Sequence, residues 1–333
     1  MGIFKEIKKL NDYKCNSPIL FITFTKEKET KIVFETIKKV KPEKLYIASD
    51  GPRGEKQGEK EKVERLREWL VSNINWNCEV KTKFSEKNLG CGHGPADAIS
   101  WFFENEEKGI IIEDDILADI SFFHFCDEML EKYKDDDRIG AITGFNWIDK
   151  DLVSNEYFFS RYFTVWGWAT WRRVWSDYDF AISSWEKVKS TDFINEAYPN
   201  KLLAKKNFDI YEETYNSRGE CFNAWDYQLE FCLLLKNRKI IMPCCNLVNN
   251  IGFIEEATHT FYKKDPRNNL KRGELKFPLK HPTSIIYDSI KEKKLIKVWL
   301  PKNREKVIMK LKTILPENLI NIYKSLKWKI KHQ

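Results

Sequence analysis

The chain has 333 residues, 42% hydrophobic and 14% aromatic, which suffices for a full core and excludes a disordered body. Its net charge of +7 is uneven: from Lys291 onward thirteen Lys and Arg face only Glu292, Glu305 and Glu317, so the rest of the chain is mildly acidic. Basic charge confined to a tail, with no recognition module beside it, argues against nucleic acid as a partner. No apolar run approaches the ~20 residues of a membrane span, and no signal-peptide pattern opens the chain.

The first elements alternate. After a polar leader (1–16), "SPILFITF" (17–24) reads as a buried strand, "KETKIVFETIKKV" (28–40) as an amphipathic helix and "KLYIAS" (44–49) as a second strand. "DGPRGEKQGEK" supplies turn chemistry, and Val63, Leu66 and Leu70 mark another helix. "CEVKTKF" (78–84), "GPADAISWFFEN" (94–105) and "GIII" (109–112) continue as strand, helix and strand, and "SFFHFCDEMLEKY" (121–133) as a helix. Such alternation predicts an α/β fold with a mixed, mostly parallel, Rossmann-like sheet flanked by helices. Ligands gather beyond the carboxyl ends of strands in such sheets.

Regularity then falls away. Six of the twelve tryptophans lie between 145 and 185, as core or as flat faces for a ligand, and Arg172 and Arg173 are candidate phosphate partners. The eight cysteines form no CxxC pair, several in apolar surroundings, which fits reduced, buried thiols of a cytoplasmic protein. From 285 to 333 a basic amphipathic tail follows the body (17–284), whose regular first half (17–115) and less regular second half (116–284) divide after the acidic stretch.

The stretch "GIIIEDD" drives an apolar strand into three acids. At strand period, Glu113 and Asp115 share a face and Asp114 points away. Oxygen ligands at a sheet rim suit Mg²⁺ or Mn²⁺, completed by substrate phosphates and water. The plain alternative is a solvated acidic turn capping the next helix. Asp50, at the end of a neighbouring strand, is either a second functional carboxylate or the start of a turn before Gly51-Pro52.

"IIIEDDILADISFFHFCDEML", with "EKNLGCGHGPADAISWFF", "SRYFTVWGWATWRR", "AWDYQ" and "NLVNNIGF…ATHT" in that order, resembles the N-acetylglucosaminyltransferase I-like group of GT-A glycosyltransferases over about residues 17–262. The resemblance implies a cytoplasmic, metal-dependent, inverting glycosyltransferase moving a sugar from a UDP-sugar to a hydroxyl of a glycan or lipid-linked acceptor. It implies Asp115 as ligand to Mn²⁺ or Mg²⁺, with Glu113 and Asp114 beside the nucleotide-sugar. Asp50 would read the uracil edge, and His93 would contact the nucleotide from the glycine-rich loop. Lys26 falls where the animal enzymes usually carry Arg near the diphosphate, so a bidentate clamp is lost here. Asp226 is the implied general base; on spacing alone it is an acid favoured by a helix N-terminus. His259 stands where many GT-A enzymes place a metal or diphosphate ligand; otherwise it is a loop histidine.

The tail has two readings, an interfacial anchor for an anionic membrane surface and a C-terminal helix packed on the catalytic domain. Two rival functions stay open, a sugar nucleotidyltransferase and a noncatalytic membrane-surface binding protein. The first would need a glycine-rich loop after strand one, and "TFTKEKETK" has no glycine.

Overall fold

The computed structural model describes residues 13–148, 156–252 and 270–300. Among the described residues ten strands form two sheets. β1 (Ile19–Thr23), β2 (Lys44–Ser49), β3 (Glu79–Phe84), β4 (Lys108–Glu113), β6 (Ile139–Thr143), β7 (Tyr157–Ser160), β8 (Trp168–Trp171) and β9 (Lys239–Pro243) make the large one, in the order β3-β2-β1-β4-β8-β6-β9-β7. β5 (Ile116–Ala118) and β10 (Val248–Asn250) pair antiparallel as a separate ribbon. β3, β2, β1 and β4 run parallel, β8 runs against both β4 and β6, and β7 runs against β9. The fold is the expected mixed, mostly parallel α/β sheet with helices on its faces.

Local chemistry explains the elements. β1 and β4 are buried along nearly their whole length, which is why they read as unbroken apolar runs rather than alternating ones. β3 lies at the sheet edge with alternating exposure, and Lys81 and Lys83 guard that edge. In α1 (Glu27–Val40), Val33, Phe34, Ile37 and Val40 form the buried stripe, with acids in the first turn and lysines in the last. α2 (Glu59–Ser72) buries Val63, Leu66 and Leu70 as its spacing predicts. α3 (Gly90–Asn105) begins four residues before the expected 94, because Gly90, Cys91, Gly92 and His93 already form its first turn. α4 (Ile120–Lys132) starts at Asp119, whose carboxylate accepts hydrogen bonds from the backbone N–H and hydroxyl of Ser121.

The later helices are α5 (Arg172–Trp175), α6 (Trp185–Val188), α7 (Phe193–Ala197), α8 (Lys201–Asn216), α9 (Asp226–Leu235) and α10 (Ser289–Trp299). α5 joins the main core through Val174 and Trp175, and α6 to α10 close a second apolar cluster around Trp185, Tyr198, Tyr211 and Phe231. α10 opens the expected basic tail, yet it packs against the body. Leu295 is fully buried, Trp147 donates its indole N–H to the Leu295 carbonyl at 3.0 Å, and Arg161 pairs with Glu292 at 2.9 Å. The rest of the tail, 301–333, lies outside the described residues. Among the described residues no helix is long and apolar enough to cross a membrane.

Two expectations need correction. Arg172 and Arg173 follow the last residue of β8, and β8 is antiparallel, so they sit beside Lys108 at the opposite end of the sheet from the acids. There Arg172 donates to the Phe103 and Glu106 carbonyls and Arg173 to those of Tyr133, Lys134, Asp136 and Ile139. None of the eight cysteines is in a disulfide, but only Cys15, Cys126, Cys232 and Cys244 are buried, while Cys91 and Cys221 are exposed.

Candidate active site

The carboxyl ends of β2, β1 and β4 finish level. Thr23 pairs with Ser49 and Ile22 with Glu113, so the chain leaves these three strands within one strip of the sheet edge. β4 stops at Glu113, and Asp114 and Asp115 form the turn into β5. The strand period therefore does not extend past Glu113, and Asp114 does not point away as expected. It turns toward β1, where its Oδ2 accepts the Phe24 backbone N–H at 3.0 Å. Lys26, the residue before α1, reaches across to the same turn. Its ammonium stands 2.6 Å from Asp115 Oδ2 and 3.7 Å from Asp114 Oδ1.

Asp115 is held from the other side by the ribbon. Its carbonyl accepts the Ile251 N–H at 2.8 Å, and Gly252 lies so close that a Cβ there would stand 2.6 Å from Asp115 Oδ2. Only glycine fits. This is the glycine of the "NLVNNIGF" stretch.

One lysine among three acids leaves charge uncompensated. Burial, reinforced by Asp115 and Asp114, pushes the Glu113 carboxyl up to about 8. Burial likewise lifts Asp114 to about 7, although Lys26 pulls the other way. For Lys26, burial favours the neutral amine, but Asp114 and Asp115 outweigh it and hold the ammonium above its ordinary range.

Asp226 joins this group. It is the first residue of α9 and lies near enough to Glu113 to raise that carboxyl further. Burial raises Asp226 itself, and hydrogen bonds from its own N–H and that of Tyr227 partly offset the rise. Its position is fixed by the tryptophans. The buried Trp225 stacks on Trp168 of β8 at 5.6 Å, and its carbonyl accepts the Tyr178 hydroxyl at 3.2 Å. Trp168, Trp171 and Trp175 are all buried and serve as core.

One turn along α9 stands a carboxylate that sequence reasoning missed. Burial, then Asp226, pushes Glu230 up to about 8, while a hydrogen bond with Tyr198 opposes the shift. Tyr198 in turn shares a 2.8 Å hydroxyl contact with Tyr211. A lone acid four residues after Asp226, inside the apolar run "LEFCLLL", was the available signal.

Asp50 lies at the same edge with a different occupation. Its two oxygens accept from the N–H groups of Gly51, Leu89 and Gly90 and from the Asn88 amide, at 2.8 to 3.0 Å. A carboxylate has about four acceptor positions, so these donors fill it, and a uracil N–H would have to displace one. The glycines of "NLGCGHG" serve packing as well: Gly92 donates to the Asn223 side chain at 3.0 Å, and a Cβ on it would stand 3.2 Å from the Ala224 nitrogen. His93 follows them to this neighbour, stacking on Phe180 at 4.2 Å and meeting Glu220 at 2.7 Å. Sequence reasoning missed Glu220 and Asn223, whose segment carries no motif of its own. The loop therefore docks α3 against the approach to Asp226.

The donor chemistry at the end of β4 suits a hard divalent cation: Asp115 would hold Mg²⁺ or Mn²⁺, with Glu113 and Asp114 adjacent. Among the described residues no group of three or more His, Cys, Asp or Glu is set to hold a metal, so phosphate and water oxygens would have to complete the shell. His259 lies outside the described residues.

No protein-family model matches the sequence, and no curated protein does. Among solved structures, HddC from Yersinia pseudotuberculosis is similar at 11% identity and a TM-score of 0.31, over 49% of this chain and 80% of that one. A UDP-glucose pyrophosphorylase complexed with UDP-glucose is similar at 10% identity and 0.32, over 68% and 90%. The glycosyltransferase GlyE of Streptococcus pneumoniae TIGR4 is similar at 11% identity and 0.29, over 69% of this chain and 45% of that one.

Proposed function

We propose that this protein is a glycosyltransferase that moves a sugar from a nucleoside diphosphate donor, a UDP-sugar, to a hydroxyl of a glycan or lipid-linked acceptor, with inversion. One observation carries the reading: Lys26, Glu113, Asp114, Asp115 and Asp226, from three separate parts of the chain, meet at the carboxyl edge of the sheet. A cation beside buried acids, with a carboxylate of raised proton affinity near the same acids, is an arrangement that suits transfer.

In this mechanism the Lys26 ammonium neutralises the diphosphate as it leaves. A divalent cation on Asp115, when bound, supplies the same charge compensation. Asp226 takes the proton from the acceptor hydroxyl as that oxygen attacks the anomeric carbon from the face opposite the diphosphate. Burial raises the proton affinity of Asp226, which makes its ionised form a stronger base. Trp225 and Tyr178 fix the helix end that presents it.

The test is a panel of nucleotide sugars incubated with Mn²⁺ and simple hydroxyl acceptors, followed by NMR of the anomeric proton. A glycoside of inverted configuration is expected. Release of pyrophosphate from a nucleoside triphosphate and a sugar phosphate would replace this reading with nucleotidyl transfer.

A further inference from the structure

We infer that Lys26 and a divalent metal compete for Asp115, so that the donor-free protein is kept in a lysine-paired, low-metal-affinity state. The inference deepens the transfer reading and rests on it.

The geometry is restrictive. Mg²⁺ takes carboxylate oxygens at about 2.0–2.1 Å, and Mn²⁺ is close to that. An ammonium 2.6 Å from Asp115 Oδ2 occupies the space that such an ion and its water shell would need. Two cations could not share that oxygen without strong repulsion. The Gly252 backbone lies close behind Oδ2, so that oxygen has no second open side for a metal while the ammonium holds it. Asp114 offers no second berth: Phe24 occupies its Oδ2, and Lys26 lies 3.7 Å from its Oδ1.

Lys26 can leave, however. Its side chain is 48% exposed against 11% for Asp115, so it enters the pair from the open side. An arriving diphosphate offers that ammonium other oxygens, and its three N–H donors can turn to them while Asp115 is freed. Metal and donor binding are thereby coupled through one side chain, and the coupling is reciprocal.

The test measures Mn²⁺ binding to the full-length, nucleotide-free protein by calorimetry, for wild type, Lys26→Gln and Lys26→Arg. Lys26→Gln is expected to bind Mn²⁺ about tenfold or more tighter than wild type, a gain lost when Asp115→Asn is added. Lys26→Arg, which keeps the charge, is expected to stay as weak as wild type, and it carries the test if Lys26→Gln melts too low to titrate. Unchanged Mn²⁺ affinity in Lys26→Gln, or a tightened one in Lys26→Arg, overturns the competition. UDP titrated with and without Mn²⁺ separates the two levels. UDP bound by wild type alongside an unmoved Mn²⁺ affinity removes only the role of Lys26, whereas no UDP binding under either condition removes the transfer reading as well.

Discussion

The two ends of the large sheet carry charge in opposite ways. At the amino end of β4, Arg173 is tied to four backbone carbonyls and lies over the Trp171 ring at 4.6 Å, and Arg172 gives its Nε–H to the Phe103 and Glu106 carbonyls. At the carboxyl end, Glu113, Asp114 and Asp115 share Lys26, and Asp226 adds to the imbalance. A saturated charge holds structure. An undercompensated cluster, kept together by burial and close packing, opposes stability.

Variants at the two ends should therefore separate function from folding. The largest effect is expected at Asp226. Asp226→Asn keeps the shape and removes the base, so kcat for transfer should fall by about 10²–10⁴-fold with donor KM little changed, as steady-state kinetics would show. Near-normal turnover would place the base elsewhere. Arg173→Ala, at the other end, should leave kcat alone and lower stability by about 2–4 kcal/mol in urea unfolding, since four carbonyls lose a donor.

The smallest effect concerns Glu230. Its folded pKa of about 8 lies above the ordinary glutamate value, so the folded state binds the extra proton. That contribution is complete below the unfolded pKa of about 4.3, and is lost as pH rises through the folded pKa near 8. Glu230→Gln cannot ionise. Its Tm should match wild type at pH 4 and exceed it by roughly 2–5 °C at pH 8.5, read by thermal denaturation. An equal difference at both pH values would mean that Glu230 is not a buried proton store.

Much of this was legible beforehand. β1 to β4 and the helices between them follow from runs of buried aliphatics and from stripes such as Val63, Leu66 and Leu70. The convergence of the acids at the sheet edge followed from topology alone. Tertiary override hid the rest. The period of two failed beyond Glu113 because the chain turns there, which brings Asp114 to Phe24. Arg172 and Arg173 looked like phosphate partners because nothing in the sequence reveals that β8 runs antiparallel. The glycine-rich loop looked like a platform from which His93 meets a nucleotide, yet the partner crowding Gly92 is Ala224, more than a hundred residues away. Distance in sequence also concealed the Trp168–Trp225 stack that presents Asp226.

A crystal structure with UDP bound would test the central claim most directly. The diphosphate should lie within hydrogen-bonding distance of Lys26 Nζ, beside Asp115, with Asp226 facing the side from which an acceptor would enter. Nucleotide bound instead near Arg172 and Arg173, or elsewhere with the Lys26–Asp115 pair undisturbed, would contradict it.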